Sequence, residues 1–172
     1  MVEHVILVDE NDLPQGQMEK LEAHVKGVLH RAFSVFIFNS KNELLLQKRA
    51  EHKYHSGGLW TNTCCSHPRV GEDNLVAANR RLMEEMGIGS SLNYLFNFTY
   101  KVEFDDGLTE HELDHVFYGH CDDLPVINPE EVAAYRYLSL SDLKKDIELH
   151  PDQYTSWLKI CLDKVVEHLK GI

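Results

Sequence analysis

Positive charge is scarce in this chain: 17 lysines and arginines stand against 28 aspartates and glutamates, a formal net charge of −11. Nucleic-acid binders and peripheral membrane proteins usually present a basic face, so both classes are disfavoured. Anionic small molecules are not excluded, because a few clustered cations or a bound metal ion reverse the field locally. Long apolar runs are also missing. None exceeds four residues, as at Val5 to Val8 and Val35 to Phe38, which is far short of a membrane span. The opening Met1-Val2-Glu3-His4 has neither the positive region nor the apolar stretch of a secretory signal. Cysteine is sparse, and two of the four are adjacent, Cys64 and Cys65. That spacing makes neither a disulfide framework nor a CxxC zinc pattern, and the reducing cytoplasm is the expected location. Repeats, low-complexity tracts and Pro/Gly/Ser linkers are lacking too. At 172 residues, 43% of them hydrophobic, the chain reads as one domain with a proper core.

Residues Phe33 to Phe38 and Glu43 to Lys48 read as strands joined through Asn39-Ser40-Lys41-Asn42, a hairpin turn by composition. A polar, glycine-punctuated stretch follows from Arg49 to Gly71. Asn74 opens a helical pattern with apolar residues at Leu75, Ala78, Leu82 and Met86, stopped by Gly87. Leu95 to Phe104, Leu113 to Cys121 and Val132 to Leu138 read as strands. Two helices close the chain, one after Ser141 and one around Leu158, Cys161, Leu162, Val165 and Leu169. This order suggests an α+β or α/β sandwich rather than a doubly wound sheet.

Eleven histidines are many for this length. In Glu110-His111-Glu112-Leu113-Asp114-His115, an extended backbone puts Glu110, Glu112 and Asp114 on one face. Such a face is either the wet side of an edge strand or, with histidines from elsewhere, a divalent-metal site. His24, His30 and His67 are the candidate partners. His24 and His30 lack the i, i+4 spacing of one helical turn, so their convergence calls for an extended or irregular segment. Three nitrogens and two oxygens suit Mn²⁺, Mg²⁺ or Zn²⁺. Cys65, two residues before His67, is either a small buried thiol or a reactive one with its pKa lowered by nearby cations. Cys64 has the same claim from local chemistry.

Arg80 with Glu84 and Arg81 with Glu85 are i, i+4 pairs, which reads most simply as a solvated helix face. The same segment fits most of the spacing G-x5-E-x7-R-E-U-x-E-E-x-G-U, where U is aliphatic. Glu72, Arg80, Leu82, Glu84, Glu85, Gly87 and Ile88 match, while Ser66 stands for the first glycine and Arg81 for the next glutamate. This is a degenerate Nudix box. Lys48, Arg49 and Lys53 read as a solvated strand end or an anion site, and Trp157 as a core anchor or a substrate contact.

Together, Trp60-Thr61-Asn62, Cys65-Ser66-His67-Pro68 and Glu110-His111-Glu112 resemble type I isopentenyl-diphosphate isomerase. His4 to Val8, Glu19 to His24 and His30 to Ser34 extend the likeness over nearly the whole chain. The resemblance implies a Nudix-type fold over 1–172, mixed β-sheets sandwiched by helices. Its core is about 30–165, with an N-terminal extension contributing metal ligands. It implies a first metal site of His24, His30, His67, Glu110 and Glu112. It also implies a catalytic pair of Cys65 and Glu112, and Glu85 with the Cys65 carbonyl beside a Mg²⁺ that binds with the substrate diphosphate. Lys20, Arg49, Lys53 and Arg81 resemble the diphosphate-contacting set, and Tyr100 and Trp157 the aromatic lining of a hydrocarbon pocket. Two departures from the family are Ser66 for glycine and a Lys53-to-Gly58 loop without the usual aromatic-proline character.

The reaction so implied adds a proton to the terminal alkene carbon of isopentenyl diphosphate and removes one from C2, giving dimethylallyl diphosphate. The expected partner is that small isoprenoid diphosphate, acted on by a monomer or weak homodimer. A Nudix pyrophosphohydrolase is the nearest alternative, disfavoured by Arg81 and Cys65. A non-catalytic metal- or diphosphate-binding module is the third.

Overall fold

A computed structural model describes residues 2–171, so Met1 and Ile172, the two ends of the expected domain, lie outside the described residues. Among the described residues, nine strands hydrogen-bond into one branched, mixed sheet, and four α-helices pack around it. β1 (His4–Val8) pairs antiparallel with β2 (Pro14–Glu19), and α1 (Lys20–Lys26) leads into β3 (His30–Phe38). β4 (Glu43–Arg49), β5 (Trp60–Thr61) and β6 (Cys64–Ser66) precede α2 (Asn74–Met86). β7 (Asn93–Glu103), β8 (Thr109–His120), β9 (Val132–Ser139), α3 (Leu140–Leu149) and α4 (Ser156–Lys170) follow.

β3 is the hub. β8 runs parallel along its whole length, from His30↔Glu112 to Phe38↔His120. Its other edge is shared by β1 at Leu7↔His30, β6 at Phe33↔Ser66 to Val35↔Cys64, and β4 at Phe38↔Leu44. Side chains alternate along a strand, and on β3 both faces are buried. Phe33, Val35 and Ile37 pack with Ala77, Ala78, Leu82 and Met86 of α2. Phe36 and Phe38 pack with Phe96, Phe98, Val116 and the α4 residues Leu158, Cys161, Leu162 and Val165. The sheet is therefore sandwiched between α2 and α4, the layered α+β arrangement expected from the sequence.

Local capping fixes the ends of α2 where the sequence placed them. Asp73 accepts from the Leu75 amide at α2's start. Gly87 ends α2 at φ 66°, and a Cβ there would meet the Val126 carbonyl at 2.6 Å. α3 begins at Leu140 rather than after Ser141, because the Ser139 hydroxyl caps the Asp142 amide. β8 begins at Thr109, four residues before the expected Leu113, because it pairs with β7 from Glu103↔Thr109 onward.

Two expectations are corrected. The hairpin between Phe33–Phe38 and Glu43–Lys48 is confined to one register pair, Phe38↔Leu44. β3's remaining edge is taken by β6 and β1, so β4 diverges to pair antiparallel with β9. The segment joining His24 to His30 is not irregular throughout: His24 lies in α1, which Gly27 terminates at φ 66°. No helix among the described residues is long and apolar enough to cross a membrane.

Candidate active site

Period-two alternation assembles most of the site on the α4-facing side of the sheet. Glu110, Glu112 and Asp114 share a face of β8, in register with His30 and Ala32 of β3 and with Val102, Tyr100 and Phe98 of β7. The edge-strand alternative for this acidic segment is overturned: β8 lies between β3 and β7, and the three carboxylates are 4%, 5% and 2% exposed. Buried carboxylates so close repel unless a cation or proton intervenes.

Histidines meet them from three elements. His24 Nδ1–H donates to the Lys20 carbonyl at 2.7 Å and His30 Nδ1–H to the Val28 carbonyl at 2.9 Å. Backbone acceptors thus hold the proton on Nδ1 and leave each Nε2 lone pair facing inward. His30 Nε2 is 3.0 Å and His67 Nε2 2.6 Å from Glu112 Oε2. Ligand atoms of His24, His30, His67 and Glu112 lie within 4.8 Å of one another, a set that can hold a metal ion; a second such set is His24, His55 and Glu110. Burial lowers His24 and His67 to about 4, leaving neutral imidazoles. Burial works to raise Glu112, but His67 and His30 override it and hold the carboxyl well below its ordinary range. The Tyr100 hydroxyl lies within hydrogen-bond reach of both Glu110 and Glu112 and shares its single proton with them, so its polar end faces the acids rather than an apolar pocket.

β6 resolves the two cysteines. Cys64 pairs with Val35 and Cys65 with Ser34, so Cys64 points to the α2 core and Cys65 to the α4 side. Cys64 Sγ donates to Glu85 Oε2 at 3.0 Å. Cys65 Sγ accepts from Trp157 Nε1–H and donates to Asn62 Oδ1, each at 3.0 Å, with Ser34 Oγ at 3.7 Å. The thiol pKa is not lowered as one sequence reading had it. Burial, reinforced by Asp114, pushes it up to about 12, leaving a protonated thiol. Trp157 is a buried anchor, 3% exposed, that also lines the cavity, with the Arg49 guanidinium 5.2 Å over its ring.

One cavity joins these groups to a basic pole of Lys20, Arg49, Lys53 and Arg81. Eleven of the thirteen residues expected from sequence line it. His24 and His30 do not, standing behind it among the clustered imidazoles. Lys20 pairs with Glu3 at 2.8 Å, and Lys53 with Glu131. Arg81 approaches Glu84 at 2.7 Å and Glu85 and Glu131 at 3.4 Å each, so its surroundings are not those of a solvated helix face. Arg80 prefers Glu72, which accepts two bonds of 2.8 Å, over the expected Glu84 at 3.4 Å. Burial raises Glu85 despite the neighbouring Arg81. Sequence reasoning missed His55, Tyr54, Ser34, Asp114, Glu131 and Glu3 on the cavity wall. Only Asp114 gave a signal, through its alternation with Glu110 and Glu112.

A NUDIX domain model matches residues 28–158. The chain is 55% identical to the isopentenyl-diphosphate Delta-isomerase of Pectobacterium atrosepticum over 164 residues, covering 95% of this chain and 92% of the relative. It is 51% identical to isopentenyl-diphosphate Delta-isomerase 2 of Aromatoleum aromaticum, covering 96% and 88%. Among solved structures, a Deinococcus radiodurans protein superposes with a TM-score of 0.74 at 19% identity, covering 94% of this chain and 98% of that one. A MutT protein from Methanosarcina mazei superposes with 0.68 at 17%, covering 83% and 96%. At those identities the structural likeness speaks for the fold alone.

Proposed function

The chain belongs to the Nudix family and, within it, to the isopentenyl-diphosphate Delta-isomerases, and from that premise we infer that it interconverts isopentenyl and dimethylallyl diphosphate. The observation that most supports this reading is the environment of Cys65: a half-buried, protonated thiol, held by Trp157 and Asn62, on the same cavity as the carboxylate of Glu112. Hydrolysis has no need of such a thiol. Allylic transposition needs an acid and a base on either side of a flat apolar substrate, and we assign those roles to Cys65 and Glu112.

One of the pair adds a proton to the terminal alkene carbon, and the other takes a proton from C2. Alkenes are weak bases, so the intermediate has tertiary-carbocation character and water must be kept away. Burial of Trp157 and Tyr100 serves that exclusion. The indole face stabilises positive charge by about 2 kcal/mol when desolvated. Tyr100 orients Glu112 through its hydroxyl. Lys20, Arg49, Lys53 and Arg81 bind the diphosphate; Lys20, Lys53 and Arg81 exchange their present carboxylate partners for phosphate oxygens, whereas Arg49, bonded to the His55 carbonyl, has no carboxylate to give up.

His24, His30, His67, Glu110 and Glu112 suit a divalent ion, Mn²⁺, Mg²⁺ or Zn²⁺: the neutral imidazoles of His24 and His67, with His30 against Glu112, stand beside crowded, buried carboxylates and make the matching donor set. Such an ion, when bound, offsets the carboxylate repulsion and adjusts the acidity of Glu112. Glu85 and the Cys65 carbonyl are assigned to Mg²⁺ arriving with the diphosphate. All four cysteines are free, in keeping with the reducing cytoplasm, where we expect a monomer or weak homodimer.

Incubation with isopentenyl diphosphate and a divalent ion in deuterated water tests the reading. Deuterium in a dimethylallyl product supports isomerisation. Released phosphate without that product would replace it with hydrolysis, and neither outcome with a binding module.

A further inference from the structure

His55 lies between β4 and β5, in a loop that folds back onto the acidic face of β8. Its side chain is 3% exposed. The ring stacks on Phe104 with centroids 4.6 Å apart and 11° between planes, and meets Tyr54 and Trp157 edge-on at 4.4 and 5.9 Å. Arg49 donates to its carbonyl at 3.2 Å, and Nδ1 is 3.1 Å from the Ser56 hydroxyl. The loop itself is tightly built: a Cβ on Gly57 would meet the Glu51 carbonyl at 2.4 Å. The imidazole is thus fixed from several sides.

Its Nε2 is the anomaly. It stands 2.6 Å from Glu110 Oε2, yet it has no hydrogen-bond partner of acceptable geometry among the described residues. A buried polar atom left so calls for an explanation. The ligand atoms of His55, His24 and Glu110 lie within 4.8 Å of one another, as do those of His24, His30, His67 and Glu112. His24 has one ring nitrogen left, Nε2, since Nδ1 donates to the Lys20 carbonyl, and the Tyr54 hydroxyl stands 3.4 Å from Nε2. Both groups share His24.

We propose that His55 is a further ligand of the divalent ion assigned to His24, His30, His67, Glu110 and Glu112, giving four imidazole nitrogens and two carboxylates. The proposal rests on that assignment and extends it. Six donors match octahedral coordination, and a nitrogen-rich set shifts preference away from Mg²⁺ toward Mn²⁺ or Zn²⁺. It also accounts for the aromatic packing, which fixes the orientation of the loop ligand.

The test uses the full chain stripped of metal and labelled with ¹⁵N-histidine. On titration with Zn²⁺, the ring nitrogens of both His30 and His55 should shift to coordinated positions. His55→Phe keeps the stacking on Phe104 but removes the nitrogen, and should weaken Mn²⁺ binding by about 10–100-fold. Its melting temperature without metal reports whether the fold survives. If the His30 resonance moves and that of His55 does not, His55 is not a ligand, while the five-residue site stands; this holds even if His55→Phe weakens binding, since packing then explains the loss. If neither resonance moves, the five-residue assignment fails, and the proposal with it.

Discussion

Cys64 and Cys65 are consecutive in the chain and serve opposite faces of the sheet, the first bonded to Glu85 beneath α2 and the second to Trp157 of α4. The pairing of β6 with β3 is the cause: an antiparallel register that sets Cys65 opposite Ser34 and Cys64 opposite Val35 leaves only one thiol on the cavity.

Cys65→Ala is therefore expected to lower isomerisation by about 10²–10⁴-fold, the usual worth of a positioned acid or base. Cys64→Ala should retain turnover within a few-fold. Deuterium incorporation from heavy water measures both, and the reverse result would reassign the thiol.

Trp157→Leu keeps an apolar side chain but removes the π-face and the indole N–H that Cys65 accepts. Loss of about 2 kcal/mol of cation stabilisation corresponds to roughly 30-fold in kcat. KM should change much less, because the effect belongs to the charged intermediate. Steady-state kinetics separate the two.

Arg81→Met leaves Glu85 buried, 3% exposed, beside Glu131 without the guanidinium that faces both. Breaking a buried pair costs about 3–5 kcal/mol, so chemical denaturation should show a large loss of stability. KM for the diphosphate should rise in the folded fraction. An unchanged KM would remove Arg81 from the anion-binding set.

Glu72 is held below the ordinary carboxylate range chiefly by its bonds from Arg80. A carboxyl with a depressed folded-state pKa contributes stability above its unfolded pKa, and that contribution is lost as pH falls through the folded value. Glu72→Gln should thus lower the melting temperature at neutral pH, with the gap to the parent closing as the solution is acidified. A gap that stays constant with pH would refute the linkage.

What the sequence made legible was what is local. α2 could be read from end to end because its apolar period runs unbroken from Leu75 to Met86 and Gly87 adjoins it. β2 (PQGQME) escaped notice because it is polar and largely exposed, with no alternation to betray it. The hairpin turn after Phe38 is where the sequence put it, but the pairing stops after one register pair, because turn residues say nothing of which strand claims the rest of an edge. In the site, the face shared by Glu110, Glu112 and Asp114 followed from period two alone, whereas their burial depended on β3 and β7 as neighbours. Choosing between Cys64 and Cys65 needed a register that no local chemistry encodes. His55 was passed over because its meeting with Glu110 arises from a loop folding back onto a distant strand.

The parallel pairing of β3 with β8 also governs when the site can exist. His30 and Glu112 are 82 positions apart, and closing so long a loop costs entropy before any contact rewards it. A nascent chain that has not yet delivered β8 has no carboxylates to meet its histidines. On the proposed metal assignment, the full donor set comes together only once that long-range strand pairing has formed.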